Sequence, residues 1–305
     1  ANILAKVASG IADEIISTTL SICEQPTLFV PAMNFKMWQN KAIIDSVKTL
    51  KENGKNVMNP DTGYLASLHK GEGRLPQLNN IMNEIRNLFH IHLPFKNKRV
   101  LITAGPTQEP IDPVRYLSNR SSGKMGYAFA KEVRDMGANV TLVSGPVNLE
   151  PIPEVELIYV DTTQKMLQAI LNKLKNEPRI DYIIMAAAPS DYSLKTTFNK
   201  KIKKNNSQLQ IKLSATPDII KTINKKTEAK IIAFALETHN GEKEALKKMK
   251  DKDVDFIILN YANEEGAGFE SNTNRVTIYS KDGEKVNLEK DRKDRIARKI
   301  LNHII

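Results

Sequence analysis

The chain holds a single cysteine, Cys23, among 305 residues, so no disulfide can form within it and no cysteine cluster can hold zinc. A reducing, cytoplasmic setting is the expectation. No apolar run approaches the roughly 20 residues needed to span a bilayer, and the N-terminus lacks the basic region and apolar segment of a secretory signal. Neither membrane contact nor use of the Asn119-Arg120-Ser121 glycosylation pattern is therefore expected. Aromatic residues make up only 6%, and no zinc-finger, RNP-like or arginine-rich pattern accompanies them. That argues against nucleic acid as a partner, although a net charge of +10 favours anions of some kind. A basic nucleic-acid-binding module stays as one alternative, with salt-sensitive affinity as its mark.

What is present suits two domains. The length exceeds that of a usual single domain, and 41% hydrophobic residues supply apolar surface for one large or two modest cores. ANILAKVASGIADEI carries Ile3, Leu4, Val7, Ile11 and Ile15 at helical spacing. TLFVPAMN reads as a short strand ending in a turn, KAIIDSVKTLKENG as a helix closed by Gly54, and LNNIMNEIRNLF as another helix. HIHLPFKNK (90–98) reads as a linker, which puts the boundary between 1–92 and 93–305.

From Lys98 onward, strand candidates VLIT, NVTLVSG, VELIYV, DYIIMAAA, KIIAFAL and DFIILN are mostly separated by helical patterns: MGYAFAKEVRDMG, TQKMLQAILNKLKN, PDIIKTINKKT and EKEALKKMKDK. Such alternation predicts a mostly parallel sheet with crossover helices. LQIKLS and RVTIYS alternate apolar and polar residues more cleanly, as a hairpin or sheet edge would.

GPTQEPIDPVRYLSNRSSGKMG (105–126) occupies the turn after the first of these strands, where open α/β sheets bind ligands. It is not a P-loop, because Met125 stands where Ser or Thr is required and Ser118 where the first glycine is required. The dinucleotide fingerprint is incomplete, with only Gly123 and Gly126 in place. An NAD(P)-dependent Rossmann-type oxidoreductase is thus a disfavoured alternative. Ser121 or Ser122 can cap the following helix, whose first-turn N–H groups attract phosphate or carboxylate. Pro106, Pro110 and Pro113 stiffen the loop, and Asn119 offers an amide that can donate to an oxyanion.

ITAGPTQEPIDPVRYLSNRSSGKMG closely resembles the signature of the phosphopantothenate–cysteine ligases of coenzyme A synthesis. The resemblance continues through MAAAPSDY, KIKK, TPDII, AFALET and the lysine-rich helix. It implies a Rossmann-like α/β domain in which the phosphopantothenate carboxylate attacks the α-phosphate of CTP, and the amine of cysteine then attacks the resulting acyl-cytidylate. Cations, lysines and Mg2+ among them, must offset repulsion between the two anions. By resemblance, Asp191 holds the nucleotide beside Met185, Ala186 and Ala187, Phe234 lies at the base, and Lys201 of KIKK meets the triphosphate. Pro217, Asp218, Ile219 and Ile220 form a helix N-terminus suited to an anion. Lys248 and Lys252, four apart, share a helix face. Asn119 matches the family asparagine linked to turnover of the acyl-cytidylate. No metal ligand is assigned.

PAMNFKMW followed by GEGRLP resembles the second half of the phosphopantothenoylcysteine decarboxylases, flavodoxin-like FMN enzymes often fused upstream of this ligase. Asn34 then binds substrate and the 61–76 loop is the clamp, with Ser67 where many relatives carry a cysteine. The family's early FMN-binding elements and active-site histidine have no counterpart, since His69, His90 and His92 lie too late. The expectation is an incomplete decarboxylase domain, not active by itself, joined to a full ligase domain. Relatives of this kind form homo-oligomers, through paired ligase domains and trimeric flavin domains.

Overall fold

The computed structural model describes residues 1–64, 70–88, 93–176, 179–203, 209–264, 268 and 270–305. The chain separates into two compact units, Ala1–His92 and Leu93–Ile305.

In the first unit, helices Asn2–Ala8 and Lys41–Glu52 pack Leu4, Ile43, Val47 and Leu50 against Val57. Leu28–Phe29 pairs in parallel with Asn56–Val57, and Asp61–Tyr64 pairs antiparallel with Lys70–Arg74. The helix expected across 1–15 is two helices. The first stops because Gly10 takes φ +72°, and Ile11 N–H closes on the Lys6 carbonyl at 2.8 Å, a C-terminal stop that glycine permits. Ile15–Ile22 forms the second.

The second unit is built on one eight-stranded sheet. Strands β1 (Arg99–Ala104), β2 (Asn139–Ser144), β3 (Glu156–Tyr159), β4 (Tyr182–Met185), β5 (Lys230–Glu237) and β6 (Phe256–Tyr261) are parallel; β7 (Thr273–Ser280) and β8 (Lys285–Arg292) add an antiparallel edge. Their order is 8-7-6-5-4-1-2-3. Helices α1 (Lys124–Asp135), α2 (Thr163–Asn176), α3 (Ile219–Asn224), α4 (Gly241–Lys252) and α5 (Lys293–Ile304) cover it.

The two-residue period of the strands divides the core. Val100, Ile102 and Ala104 of β1 join Phe129 and Val133 of α1 and Ile296 and Ile300 of α5 on one face. Leu101 faces the other way, with Met166 and Ile170 of α2 and Ile219 and Ile223 of α3. Side chains buried on both faces explain why VLIT and FIIL read as continuous apolar runs. Gly126 in the first turn of α1 lets that helix lie directly on β1, because a Cβ there would stand 2.5 Å from that of Ala104.

RVTIYS lies within β7, at the sheet edge as expected. LQIKLS does not join the sheet. Only Leu213–Ala215 is a strand, paired with Tyr192–Leu194 in a separate ribbon. β8 lies in KVNLEKDR, whose charged residues suit an exposed edge and obscure its strand pattern.

Candidate active site

Strands β1 and β4 are neighbours, and the sequence order of the sheet reverses between them. The helices that follow them, α1 and α3, pack on opposite faces, so a crevice opens beyond the strand ends, the usual ligand position in such sheets. A cavity of about 750 Å³ fills it, walled by the loops after β1 and β4, by residues of β5 and β6 and by α1, α3, α4 and α5.

Buried hydroxyls hold these loops together. Ser190 N–H donates to Thr107 Oγ1 at 2.9 Å, Thr107 and Thr163 hydroxyls share a bond of 2.9 Å, and Thr163 N–H donates to Glu109 Oε1 at 2.8 Å. The Thr216 hydroxyl adds a bond to the Ser190 carbonyl at 2.7 Å. Each bond crosses between loops, so the network orders the rim while satisfying polar groups that burial would otherwise penalise.

Asn119, Met185, Ala186, Ala187, Asp191, Pro217, Asp218, Ile219, Ile220, Phe234, Lys248 and Lys252 all line this cavity. Asn119 donates through Nδ2 to the carbonyls of Ala188 and Pro189, both at 3.1 Å. Its two N–H groups are therefore committed to backbone in the free protein. Helix α1 starts at the glycine rather than a serine: Gly123 is the N-cap with φ 75° and no side chain caps it, while Ser121 Oγ accepts from Gly123 N–H at 3.4 Å.

At the α3 end, Asp218 is the N-cap and accepts from Lys221 N–H at 3.1 Å. The protein's own carboxylate thus occupies the helix start where an external anion was expected. Asp218 also pairs with Lys252 at 3.1 Å. Lys248 donates to the Phe234 carbonyl at 2.7 Å. Burial and the charge of Lys252 lower the Lys248 pKa, against the opposing pull of Glu237, Asp191 and Asp218. The Phe234 ring packs edge-on to Phe129 at 5.8 Å, so it serves the core as well as the cavity wall.

Lys201 does not line the cavity. It is exposed beside Ile202, whose N–H donates to Asp112 Oδ2 at 3.1 Å and whose carbonyl accepts from Arg115 at 3.0 Å. Burial would raise the Asp112 pKa, but N–H bonds from Ile202, Val114 and Arg115 outweigh it and hold the carboxyl below its ordinary value. In the first unit, Asn34 accepts from Lys36 N–H at 2.9 Å and caps a short helix; Ser67, with His69, His90 and His92, lies outside the described residues. Met33 N–H donates to the Gly73 carbonyl at 2.9 Å, joining the PAMNF turn to the GEGRLP strand.

Sequence patterns missed Ser190, Thr216, Asn260, Asn274 and Lys293. Asn260 ends an apolar strand, a signal that could have been used. Lys293 sits in the charge run EKDRKDR and carries none.

The fold is that of an α/β protein with a cavity at the sheet's switch point. A sequence model of the DNA/pantothenate metabolism flavoprotein C-terminal domain matches residues 95–305, and one of the flavoproteins matches 1–90. The chain is 40% identical over 292 residues to the coenzyme A biosynthesis bifunctional protein CoaBC of Bacillus subtilis, covering 94% of this chain and 71% of that one. It is also 37% identical to a cysteine/cysteine sulfinic acid decarboxylase from an unknown prokaryotic organism, over 100% of this chain and 86% of the relative. A crystal structure of the C-terminal domain of a CoaBC protein superposes with TM-score 0.58 at 40% identity, covering 69% of this chain and 95% of the other. The chain belongs to this family of bifunctional coenzyme A biosynthesis proteins.

Proposed function

We infer that Leu93–Ile305 is a cytoplasmic phosphopantothenate–cysteine ligase that uses CTP. The observation carrying this reading is the meeting of Asn119, Asp191, Lys248 and Lys252 around one cavity in a chain of this family.

A substrate carboxylate oxygen attacks the α-phosphorus of CTP, and pyrophosphate leaves. The cysteine amine then attacks the acyl carbon, loses a proton, and CMP leaves. The first step brings two anions together, so its barrier falls when fixed cations offset their charge. Lys248 and Lys252 supply that charge from one face of α4. Lys252 exchanges Asp218 for phosphate oxygen, and the low pKa of Lys248 rises once an anion faces it. Asp191 receives the ribose, with Phe234 beside the base. Asn119 turns one N–H from the Ala188–Pro189 carbonyls to the acyl carbonyl. Lys201 is assigned to the triphosphate on resemblance alone.

Mg2+ would enter with the triphosphate. Its expected ligands are phosphate oxygens and water.

FMN is the cofactor this reading gives the first unit. That unit's cavity, about 520 Å³, is lined by Leu28, Lys51, Lys55 and Asn56 among others and excludes Asn34. The described residues do not form a flavin site around Asn34. Ile15, Ile16 and Ile22 are exposed on one helix, which supports self-association of this unit as in trimeric flavin domains. Pairing of ligase domains would make the whole protein a homo-oligomer.

Pyrophosphate release, measured with CTP, phosphopantothenate and cysteine, tests the ligase reading. Release that requires CTP and phosphopantothenate is expected; none under any combination would end it.

A further inference from the structure

Asp191 lines the cavity and is exposed there. Its carboxylate makes no hydrogen bond or ion pair among the described residues, so no side-chain partner sets its direction. Its backbone must do so. The carbonyls on either side of its Cα are both held by one residue: Thr216 Oγ1 donates to the Ser190 carbonyl at 2.7 Å, and Thr216 N–H donates to the Asp191 carbonyl at 3.0 Å. These bonds fix the peptide planes before and after Asp191. With only two soft backbone dihedrals per residue, they also fix the direction in which its side chain leaves.

The ribbon outside the main sheet supplies this clamp. Tyr192 lies opposite Ala215 in its antiparallel pairing, which brings Asp191 and Thr216 together at its end. Pro217 follows at once, and a residue before proline is held extended, as the end of a ladder requires. Ser190 is 5% exposed, so its carbonyl would be costly to leave without a partner. The Thr163 hydroxyl lies 3.2 Å from the same carbonyl but 2.9 Å from Glu109 Oε1. It has one proton to give, and the carboxylate is the nearer and stronger acceptor. Thr216 is therefore the chief side-chain donor to the Ser190 carbonyl.

We propose that Thr216 is a positioning residue for the nucleotide: through the Ser190 and Asp191 carbonyls it aims the Asp191 carboxylate at the ribose and sets its spacing from Pro217–Ile220 at the start of α3. This rests on the ligase reading, in which both segments hold CTP. A ribose offers adjacent hydroxyls, and a carboxylate accepts from both only when it is correctly aimed. Thr216 stands between the two segments, bonded to the loop of Asp191 and joined directly to Pro217. The ribbon that LQIKLS enters thereby gains a purpose, since it delivers Thr216 to that point.

The test is steady-state pyrophosphate release by the full chain, with CTP, dideoxy-CTP lacking both ribose hydroxyls, and phosphopantothenate varied separately. Wild type should prefer CTP to the dideoxy form. Equal KM values for the two overturn the proposal and leave the ligase reading standing, whereas no release from any combination ends both. Thr216→Val keeps the shape and the N–H but loses the hydroxyl, and should raise KM for CTP about 5- to 10-fold, the scale of one buried hydrogen bond. KM for dideoxy-CTP and for phosphopantothenate should stay within about twofold on the same scale. The preference for a ribose then shrinks, and Thr216→Ser should restore it. An unchanged KM for CTP overturns the proposal. So does an equal rise for dideoxy-CTP or phosphopantothenate, which marks a general loosening or a contact elsewhere on the ligand, and so does failure of Thr216→Ser to rescue. If Thr216→Val does not fold, Thr216→Ala is read by the same criteria.

Discussion

The two ends of the cavity carry the same residue type in different electrostatic company. At the α4 end, Lys252 pairs with Asp218 and Lys248 lies within reach of Glu237, Asp191 and Asp218. At the α5 end, Lys124 and Lys293 lean on carbonyl and amide oxygens. The first end is partly neutralised by carboxylates that a ligand must displace or bridge. At the second, these hydrogen bonds go to neutral oxygens. Equal numbers of lysines therefore do not make equal sites.

The largest expected effect falls between the ends. Asn119→Asp puts carboxylate oxygens against the Ala188 and Pro189 carbonyls and removes the N–H groups offered to the acyl carbonyl. Transfer to cysteine should fall about 100- to 1,000-fold, as for loss of one oxyanion donor, while pyrophosphate release in a single turnover persists. Rapid-quench measurement of both half-reactions checks this, and equal loss of both would refute the assigned role.

Next is Lys252→Gln, which should raise KM for CTP by about tenfold, a single charged contact, and leave KM for phosphopantothenate nearly unchanged. The opposite split would place Lys252 at the acid rather than the nucleotide.

A pH effect separates them further. Lys293 is held at about 8 in the fold, below its ordinary 10.5. Between those values the unfolded chain binds more protons, so this residue's destabilising effect is full below pH 8 and fades as pH rises to 10.5. Lys293→Met should therefore gain most over wild type near neutral pH, with the gap closing in alkali. Paired urea titrations measure it, and a constant gap would contradict the assigned environment.

The smallest effect is at Asp218→Asn, which keeps an N-cap and removes the carboxylate facing Lys252. A few-fold tighter CTP affinity is expected from calorimetry; weaker affinity would mean that the carboxylate itself helps hold the ligand.

Much of the second unit was legible because local pattern and buried position coincide. VLIT, DYIIMAAA and KIIAFAL are apolar on both faces, as central parallel strands must be. The family signature located the loop of Asn119 and the strand end of Met185. Lys293 was illegible because its burial depends on α5 packing over the sheet, while locally it is one charge in a polar run. Lys201 shows the reverse: KIKK is conspicuous in sequence, but its segment is tied to Asp112 and Arg115 outside the cavity. LQIKLS was legible only in part: its end pairs antiparallel in a two-stranded ribbon, but alternation does not specify which sheet a segment joins.

The central claim is that one cavity holds the nucleotide and the phosphorylated acid together. Calorimetric titration of phosphopantothenate into protein saturated with a non-hydrolysable CTP analogue tests it most directly. The account predicts one further equivalent bound with affinity equal to or better than in the free protein; displacement of one ligand by the other would contradict it.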